Sequence, residues 1–274
     1  MAAEMRKTTC SAIVCAYNEE VLLGGVLESL ASNPDVDEVI VVDDGSRDQT
    51  ARIMHSLSEI NPRIIPIFLT TNHGKGWALA EGILRSRGEL LLLVDADLTN
   101  WNEDFARQVM EPVLAGKTEL SIGYPLREND KIDRFDLFGL IQLLSGQRAF
   151  WRKDILPLVE MIRTSRFGVE TLMYLSFRQQ GKRISCFSLL GLAHITKLEK
   201  ETFPGVILSY GKETVEILKS ALKHRDLSRQ VAKLEWNERK SQAQQAVVRG
   251  LVEALNSISS EAQGLRTTLQ KSLG

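Results

Sequence analysis

Long apolar runs are missing from this sequence. None approaches the roughly 20 residues that cross a bilayer as a helix, so no membrane-spanning segment is expected. Cysteine is scarce as well. The three present, Cys10, Cys15 and Cys186, make an odd number without CxxC spacing, which argues against a disulfide framework and against a zinc site. The opening MAAEMRKTTC carries an acidic residue and too short an apolar stretch for a secretory leader, so a reducing, cytoplasmic setting is expected. A strong net charge is lacking too: the formal value is -1, so the chain has no basic footprint of the kind that nucleic acid requires. Two glycine signatures are absent. No GxGxxG follows the first apolar run, which sets aside a dinucleotide dehydrogenase, and no GxxxxGK[ST] supports a P-loop nucleotidase.

What is present is an ordinary globular composition, 43% hydrophobic and 25% charged over 274 residues, ample for a sizeable core. The chain is organised around GELLLLVDADLTN, Gly88 to Asn100. Five consecutive aliphatic residues bounded by a glycine are too short for a helix and read as a central strand buried on both faces. Before it come apolar, β-favouring runs at Thr8 to Ala16, Val39 to Val42 and Arg63 to Leu69, the last holding Pro66 and so placed nearer a sheet edge. Helical spacing of apolar residues follows each of them, at Val21 to Ala31, after Asp48 and Thr50, and from Asn72-His73-Gly74-Lys75-Gly76 to about Arg87. This alternation predicts an α/β fold with a mostly parallel sheet between helices. Further on, Asn102 to Ala115 reads as a helix, Thr118 to Gly123 as a strand, Phe167-Gly168-Val169-Glu170 as the opening of a helix that runs to about Gln180, and Lys182 to Leu190 as a strand.

In such sheets ligands bind beyond the carboxyl ends of the strands. Polar clusters stand at those ends: Tyr17-Asn18-Glu19, Asp43-Asp44-Gly45-Ser46 and Asp95-Ala96-Asp97. Two carboxylates one residue apart, where a strand leaves the sheet, suit a hard cation such as Mg2+ or Mn2+ that bridges phosphates. The plainer alternative is that Asp95 and Asp97 cap the next helix. Carboxylates and a metal, in place of glycines, fit a diphosphate whose charge the cation neutralises.

Taken in order, VCAYNEE, VVDDGSRDQT, NHGKGWALAEG and LLLVDADLT resemble the inverting glycosyltransferases of family 2, and SGQRAF at Ser145 to Phe150 resembles a segment of the dolichol-phosphate mannose synthases and polyprenyl-phosphate sugar transferases. The resemblance spans roughly residues 8 to 195. It implies the GT-A nucleotide-diphospho-sugar transferase fold, with nucleotide-sugar binding over about 8–124, an acceptor side over about 125–202 and a helical extension over 203–274. Its implied activity is metal-dependent transfer of a sugar from a UDP- or GDP-linked donor to a polyprenyl phosphate, with inversion. A small anionic acceptor such as phosphoglycerate, or a glycan hydroxyl, is the alternative within enzymes; an inactive GT-A scaffold is the alternative outside them. Sugar nucleotidyltransferases on a similar fold open with a glycine-rich basic loop, where this chain has Tyr17-Asn18-Glu19.

Residue by residue, the resemblance implies that Cys15, Tyr17, Glu19 and Asp44 hold the nucleoside. Lys75, flanked by glycines, would approach a phosphate or the nucleotide. Asp95 would touch ribose or metal, Asp97 the metal, and His194 would complete the metal shell. Arg148 would meet an anionic acceptor through two parallel hydrogen bonds. Relatives often carry an arginine directly after the strand ending at Gly123; here Tyr124-Pro125-Leu126-Arg127 stands instead, and Arg127 would supply the charge from a polar lid over 126–135. Glu170 would act as base for a hydroxyl acceptor, or would orient Arg148 or a sugar hydroxyl when the acceptor is a phosphate.

The extension reads as helical from Thr214, with a heptad seam at Val248, Leu251, Leu255, Ile258, Ala262, Leu265 and Leu269. It would pack on the catalytic domain or associate with a second copy. Phe203 to Lys233 mixes apolar and basic residues, a pattern that rests on an anionic membrane surface or packs with a solvated charged face.

Overall fold

The computed structural model describes residues 8–126, 145–165 and 168–192. Arg127, the polar stretch expected as a lid beyond Leu126, His194 and the extension from 203 lie outside the described residues. The elements, in chain order, are β1 (Cys10–Ala16), α1 (Leu23–Ser32), β2 (Glu38–Asp43), α2 (Thr50–Ile60), β3 (Ile64–Phe68), α3 (Lys75–Arg85), β4 (Leu90–Asp95), α4 (Glu103–Leu114) and β5 (Leu120–Leu126). After the gap come β6 (Gln147–Trp151), α5 (Arg152–Ile155), a 3-10 turn (Leu156–Leu158), α6 (Val159–Arg163), α7 (Val169–Gln179) and β7 (Ile184–Leu190). No helix among these is long and apolar enough to cross a membrane.

The strands form one sheet in the order β3-β2-β1-β4-β6-β5-β7. Pairing is parallel for β1 with β2 and β4, for β2 with β3 and for β5 with β7, and antiparallel where β6 meets β4 and β5. The expected strands and the helices between them are all present, and β3 with Pro66 is the edge strand the proline required. The antiparallel β6 was not expected. Its residues were read as a motif, and nothing local in SGQRAF distinguishes a strand from a binding loop.

The period of two along each strand divides the apolar residues between two cores. Ala12, Val14, Val39, Val41, Leu90, Leu92 and Val94 face a layer built from α1, Met54 of α2, and α4. Ile13, Ile40, Val42, Leu91 and Leu93 face α3, α6 and α7. The aliphatic run of β4 is therefore buried on both sides, and each leucine contributes roughly 1.5–3 kcal/mol by leaving water. Two glycines let α3 approach its neighbours: a Cβ on Gly82 would lie 2.6 Å from the Ile13 side chain, and one on Gly76 would lie 1.8 Å from the Ser165 carbonyl oxygen.

This topology fixes where a ligand can sit. The chain leaves β1 toward β2 and β4 toward β5, in opposite directions along the sheet, and the carboxyl ends of those two strands lie side by side, with Cys15 across from Asp95. A crevice opens at such a reversal of strand order. The capping alternative for the two aspartates fails, because the N-cap of α4 is Asn102, whose side-chain oxygen accepts from the Phe105 amide at 3.1 Å.

Candidate active site

The loops after β1 and β2 are laced together. Asn18, at φ 56, occupies the left-handed region that asparagine tolerates better than most residues. Its amide donates to Ser46 Oγ at 2.9 Å, and its Oδ1 accepts from the Arg47 amide at 2.9 Å. The Glu19 amide donates to Thr50 Oγ1 at 2.8 Å, and Glu20 Oε2 accepts from the Gln49 amide at 2.8 Å. Tyr17 is left 42% exposed at the rim, open to pack on a planar group, with Glu19 half-buried beside it in sequence.

Asp44, expected to hold the nucleoside, is buried, and its two oxygens accept from the amides of His73 and Gly74 at 2.8 and 2.7 Å. It ties β2 to the loop that leads into α3. Asp43 is likewise used locally, accepting from the Ser46 amide at 2.9 Å. In the same loop the His73 ring stacks on Trp77 with centroids 4.8 Å apart, and the Arg163 guanidinium also lies 4.8 Å from that indole. These contacts brace the segment that delivers Lys75.

Lys75 opens α3 and points between two carboxylates. Its Nζ lies 2.8 Å from Asp95 Oδ1 and 2.6 Å from Glu170 Oε1. Burial alone would lower its pKa, but Asp95 and then Glu170 outweigh it and hold the ammonium well above its ordinary value. The other oxygen of Asp95 accepts from Gln147 Nε2 at 2.8 Å, and Gln147 Oε1 is within 2.7 Å of Ser145 Oγ. Gly146 lies against the same carboxylate, so closely that a Cβ there would sit 2.0 Å from Asp95 Oδ1. Arg148 is fully buried. Its Nε donates to the Ser145 carbonyl and its Nη1 to the Glu170 carbonyl, both at 2.8 Å. Burial pulls its pKa down while Glu170 opposes the shift.

Cys15, Lys75, Asp95, Gly146, Arg148 and Glu170 line a cavity of about 20 Å³, room for about one water. The cavity is a small charge-lined recess, with the Lys75 side chain still 38% exposed. Arg148, expected to meet an anionic acceptor, fastens the start of β6 to the first turn of α7. Lys75 is already engaged by carboxylates, leaving a phosphate to compete for it. Cys15 joins the wall, with burial raising its thiol to about 12, so it stays a neutral, unreactive thiol.

A divalent ion can be tested against this donor set. Asp95, expected to touch ribose or metal, is engaged by Lys75 and Gln147, and His194 lies outside the described residues. Asp97 stands half-buried in the turn that follows β4, a hard oxygen donor at the crevice. Among the described residues no three His, Cys, Asp or Glu side chains gather into a metal site. That fits an ion of the Mg2+ or Mn2+ kind, which takes one or two carboxylates and completes its shell from phosphates and water. It does not fit a site preassembled by protein ligands alone.

Residues 11–167, more than half of the chain, match the model of the family described as glycosyl transferase family 2. The chain belongs to that family. Among curated relatives it is similar to a dolichyl-phosphate beta-glucosyltransferase of Dictyostelium discoideum, 41% identical over 108 residues, which is 35% of this chain and 33% of that protein. It is also similar to an undecaprenyl-phosphate 4-deoxy-4-formamido-L-arabinose transferase of Pseudomonas paraeruginosa, 34% identical over 104 residues, covering 36% of this chain and 31% of that one. The match thus spans about a third of the length of these relatives. A solved glucosyl-3-phosphoglycerate synthase from Mycobacterium tuberculosis, in complex with Mn2+, UDP and its glucosylated product, superposes with a TM-score of 0.53 at 23% identity, over 68% of this chain and 72% of that one. At that identity the likeness is one of fold, and the fold is the GT-A fold expected from the order of motifs.

Sequence reasoning named Lys75, Asp95, Arg148 and Glu170, and the structure brings these four together. It missed Gly146 and Gln147, which hold Asp95. Both lie in a motif read only for its arginine, and the register of β6 on β4, with Leu93 opposite Arg148, is what sets Gly146 against Asp95.

Proposed function

We propose that this family 2 member transfers a sugar from a nucleotide-diphosphate donor, UDP- or GDP-linked, to a polyprenyl phosphate, with inversion and with Mg2+ or Mn2+. The observation that carries the reading is the meeting of Tyr17, Asp95 and Asp97 at the adjoining carboxyl ends of β1 and β4, the crevice where this fold class receives ligands. The names of the curated relatives, whose acceptors are dolichyl and undecaprenyl phosphates, support that acceptor over phosphoglycerate or a glycan hydroxyl.

In this account Tyr17 packs on the base, with Glu19 beside it as an acceptor for base or ribose donors. The laced loops after β1 and β2 set the rim on which the nucleoside rests. Lys75 and Gln147 hold Asp95 at the edge of the crevice, so that its position does not depend on the ligand. Asp97 would hold the divalent ion, which supplies charge neutralisation to the leaving diphosphate. Peripheral contact with a membrane and self-association belong to the basic amphipathic stretch and the heptad seam of the extension, outside the described residues.

A thermal-shift panel of UDP, GDP and their sugars, with and without Mn2+, tests the donor. One base should raise the melting temperature in a metal-dependent manner by linkage. Asp97→Ala should abolish the metal dependence without lowering the melting temperature of the free protein, and should reduce transfer about 1000-fold, near 4 kcal/mol. Stabilisation by no nucleotide would remove the proposal and leave the scaffold alternative.

A further inference from the structure

A second cavity, of about 470 Å³, lies at the opposite edge of the sheet, where β4 begins and β6 ends. Its wall includes Arg87, Glu89, Trp151, Arg152, Lys153 and Leu156. Trp151 is paired with Leu90, and β4 runs from there over six residues to Asp95, roughly 20 Å at the rise of an extended chain. A ligand held here does not touch the crevice. The volume is in the range of sites that take small organic molecules.

The floor of this cavity is fixed by the loop between α3 and β4, whose main chain is bonded to its neighbours. The Arg87 amide donates to Glu38 Oε1 at 2.6 Å, the Gly88 amide donates to Ser11 Oγ at 2.7 Å, and the Glu89 carbonyl accepts from the Arg152 amide at 2.8 Å. A Cβ on Gly88 would stand 2.5 Å from the Ser11 amide nitrogen, so the loop is pressed against β1. Arg87 and Glu89 remain exposed on either side of that glycine, and Lys153 is exposed across from them. Arg152 is half-buried, with its Nε donating to Ser86 Oγ at 3.3 Å, which fixes the guanidinium at the wall.

The acids nearby are engaged elsewhere. Asp154 pairs with Lys182 at 2.8 Å, and Glu38 accepts from Ser11 Oγ as well as from the Arg87 amide. Among the described residues no ion pair joins Arg87, Arg152 or Lys153 to a carboxylate. Three cations against Glu89 leave the wall with a surplus of positive charge, and guanidinium groups meet phosphate oxygens through paired hydrogen bonds. The half-buried indole of Trp151 and the side chain of Leu156 add apolar surface. Glu89, an acceptor alone, suits hydroxyl donors on the same ligand. We propose that this cavity binds a small hydroxylated phosphate monoester of the sugar-phosphate kind, at a site independent of the crevice. The loop is held before the ligand arrives, so little ordering opposes binding.

The test uses the full chain without nucleotide or divalent ion, so the fate of the glycosyl-transfer reading does not affect its outcome. Glucose-6-phosphate, inorganic phosphate and glucose are titrated by calorimetry and by tryptophan fluorescence. Glucose-6-phosphate should bind at one site and more tightly than phosphate, glucose should not bind, and added salt should weaken the interaction. Arg87→Gln and Lys153→Gln should each weaken it about tenfold, and the two together about 100-fold. Both side chains are exposed, and an unchanged circular dichroism spectrum checks that the variants fold. Trp151→Phe should keep the calorimetric signal and lose the fluorescence change. Absence of glucose-6-phosphate binding in the wild-type chain, or binding that survives loss of both cations, overturns the proposal. A fluorescence change that persists in Trp151→Phe does so too, because it places the phosphate elsewhere. Vesicles of phosphatidylcholine, with and without phosphatidic acid, separate a soluble phosphate from a lipid one. Pelleting with phosphatidic acid that needs Arg87 and Lys153, without glucose-6-phosphate binding, assigns the cations to a headgroup and rejects the soluble ligand.

Discussion

Two parts of the crevice are built from the same residue types in opposite ways. Around β1 and β2, side-chain oxygens of Asn18, Asp43, Asp44, Ser46 and Thr50 receive backbone amides, so polar side chains are used to shape loops. Around β4, β6 and α7, charged side chains meet each other, with Lys75 between Asp95 and Glu170 and Gln147 on the far oxygen. An aspartate of the first kind governs stability and the form of the rim. One of the second kind governs the charge of the site. The acidic motifs of the chain are thus not equivalent, although they read alike.

Replacing Asp44 is the strongest way to probe that division. Asp44→Ala leaves the buried Gly74 amide and the part-buried His73 amide without acceptors and should cost about 3 kcal/mol, read as a lower urea midpoint with unchanged slope. Should the variant instead keep full stability and lose only nucleotide affinity, Asp44 would join the ligand-binding class. Gly146→Ala tests the other side. Its Cβ cannot fit 2.0 Å from Asp95 Oδ1 while Lys75 and Gln147 hold that carboxylate, so overpacking of about 2 kcal/mol is expected, measured by thermal denaturation. Preserved stability would mean that Asp95 is free to turn aside.

The smallest effect sharpens the comparison through pH. Lys75 is raised above its ordinary 10.5 by Asp95 and Glu170 against the pull of burial. The folded state thus holds this proton more tightly than the unfolded chain does. The stability it contributes is fully present below pH 10.5 and is lost as pH rises through the folded value. The melting temperature of the wild-type chain should therefore fall more steeply than that of Lys75→Met in that alkaline range, and the two slopes should agree near neutrality. Equal slopes throughout would show that the ammonium is not held by the pair.

Much of the architecture was legible without coordinates, because short-range chemistry imposes it. The apolar runs at Thr8 to Ala16, Val39 to Val42 and Leu90 to Val94 can be buried on both faces only as inner strands, and Pro66 can stand only where a ladder hydrogen bond is not needed. The ends of parallel strands must gather at one edge of a sheet, so the acidic clusters that close those runs were bound to share a rim. What stayed hidden was the partner of each charge. Asp44 meets amides 29 and 30 positions away, Asp95 meets Gln147 at a separation of 52, and Lys75 meets Glu170 from another helix. Strand register and helix docking decide such encounters. A carboxylate's own neighbours in sequence do not reveal whether it will face an ion, an amide or an ammonium, and only the packed structure turned Arg148 inward and seated Gly146 against Asp95.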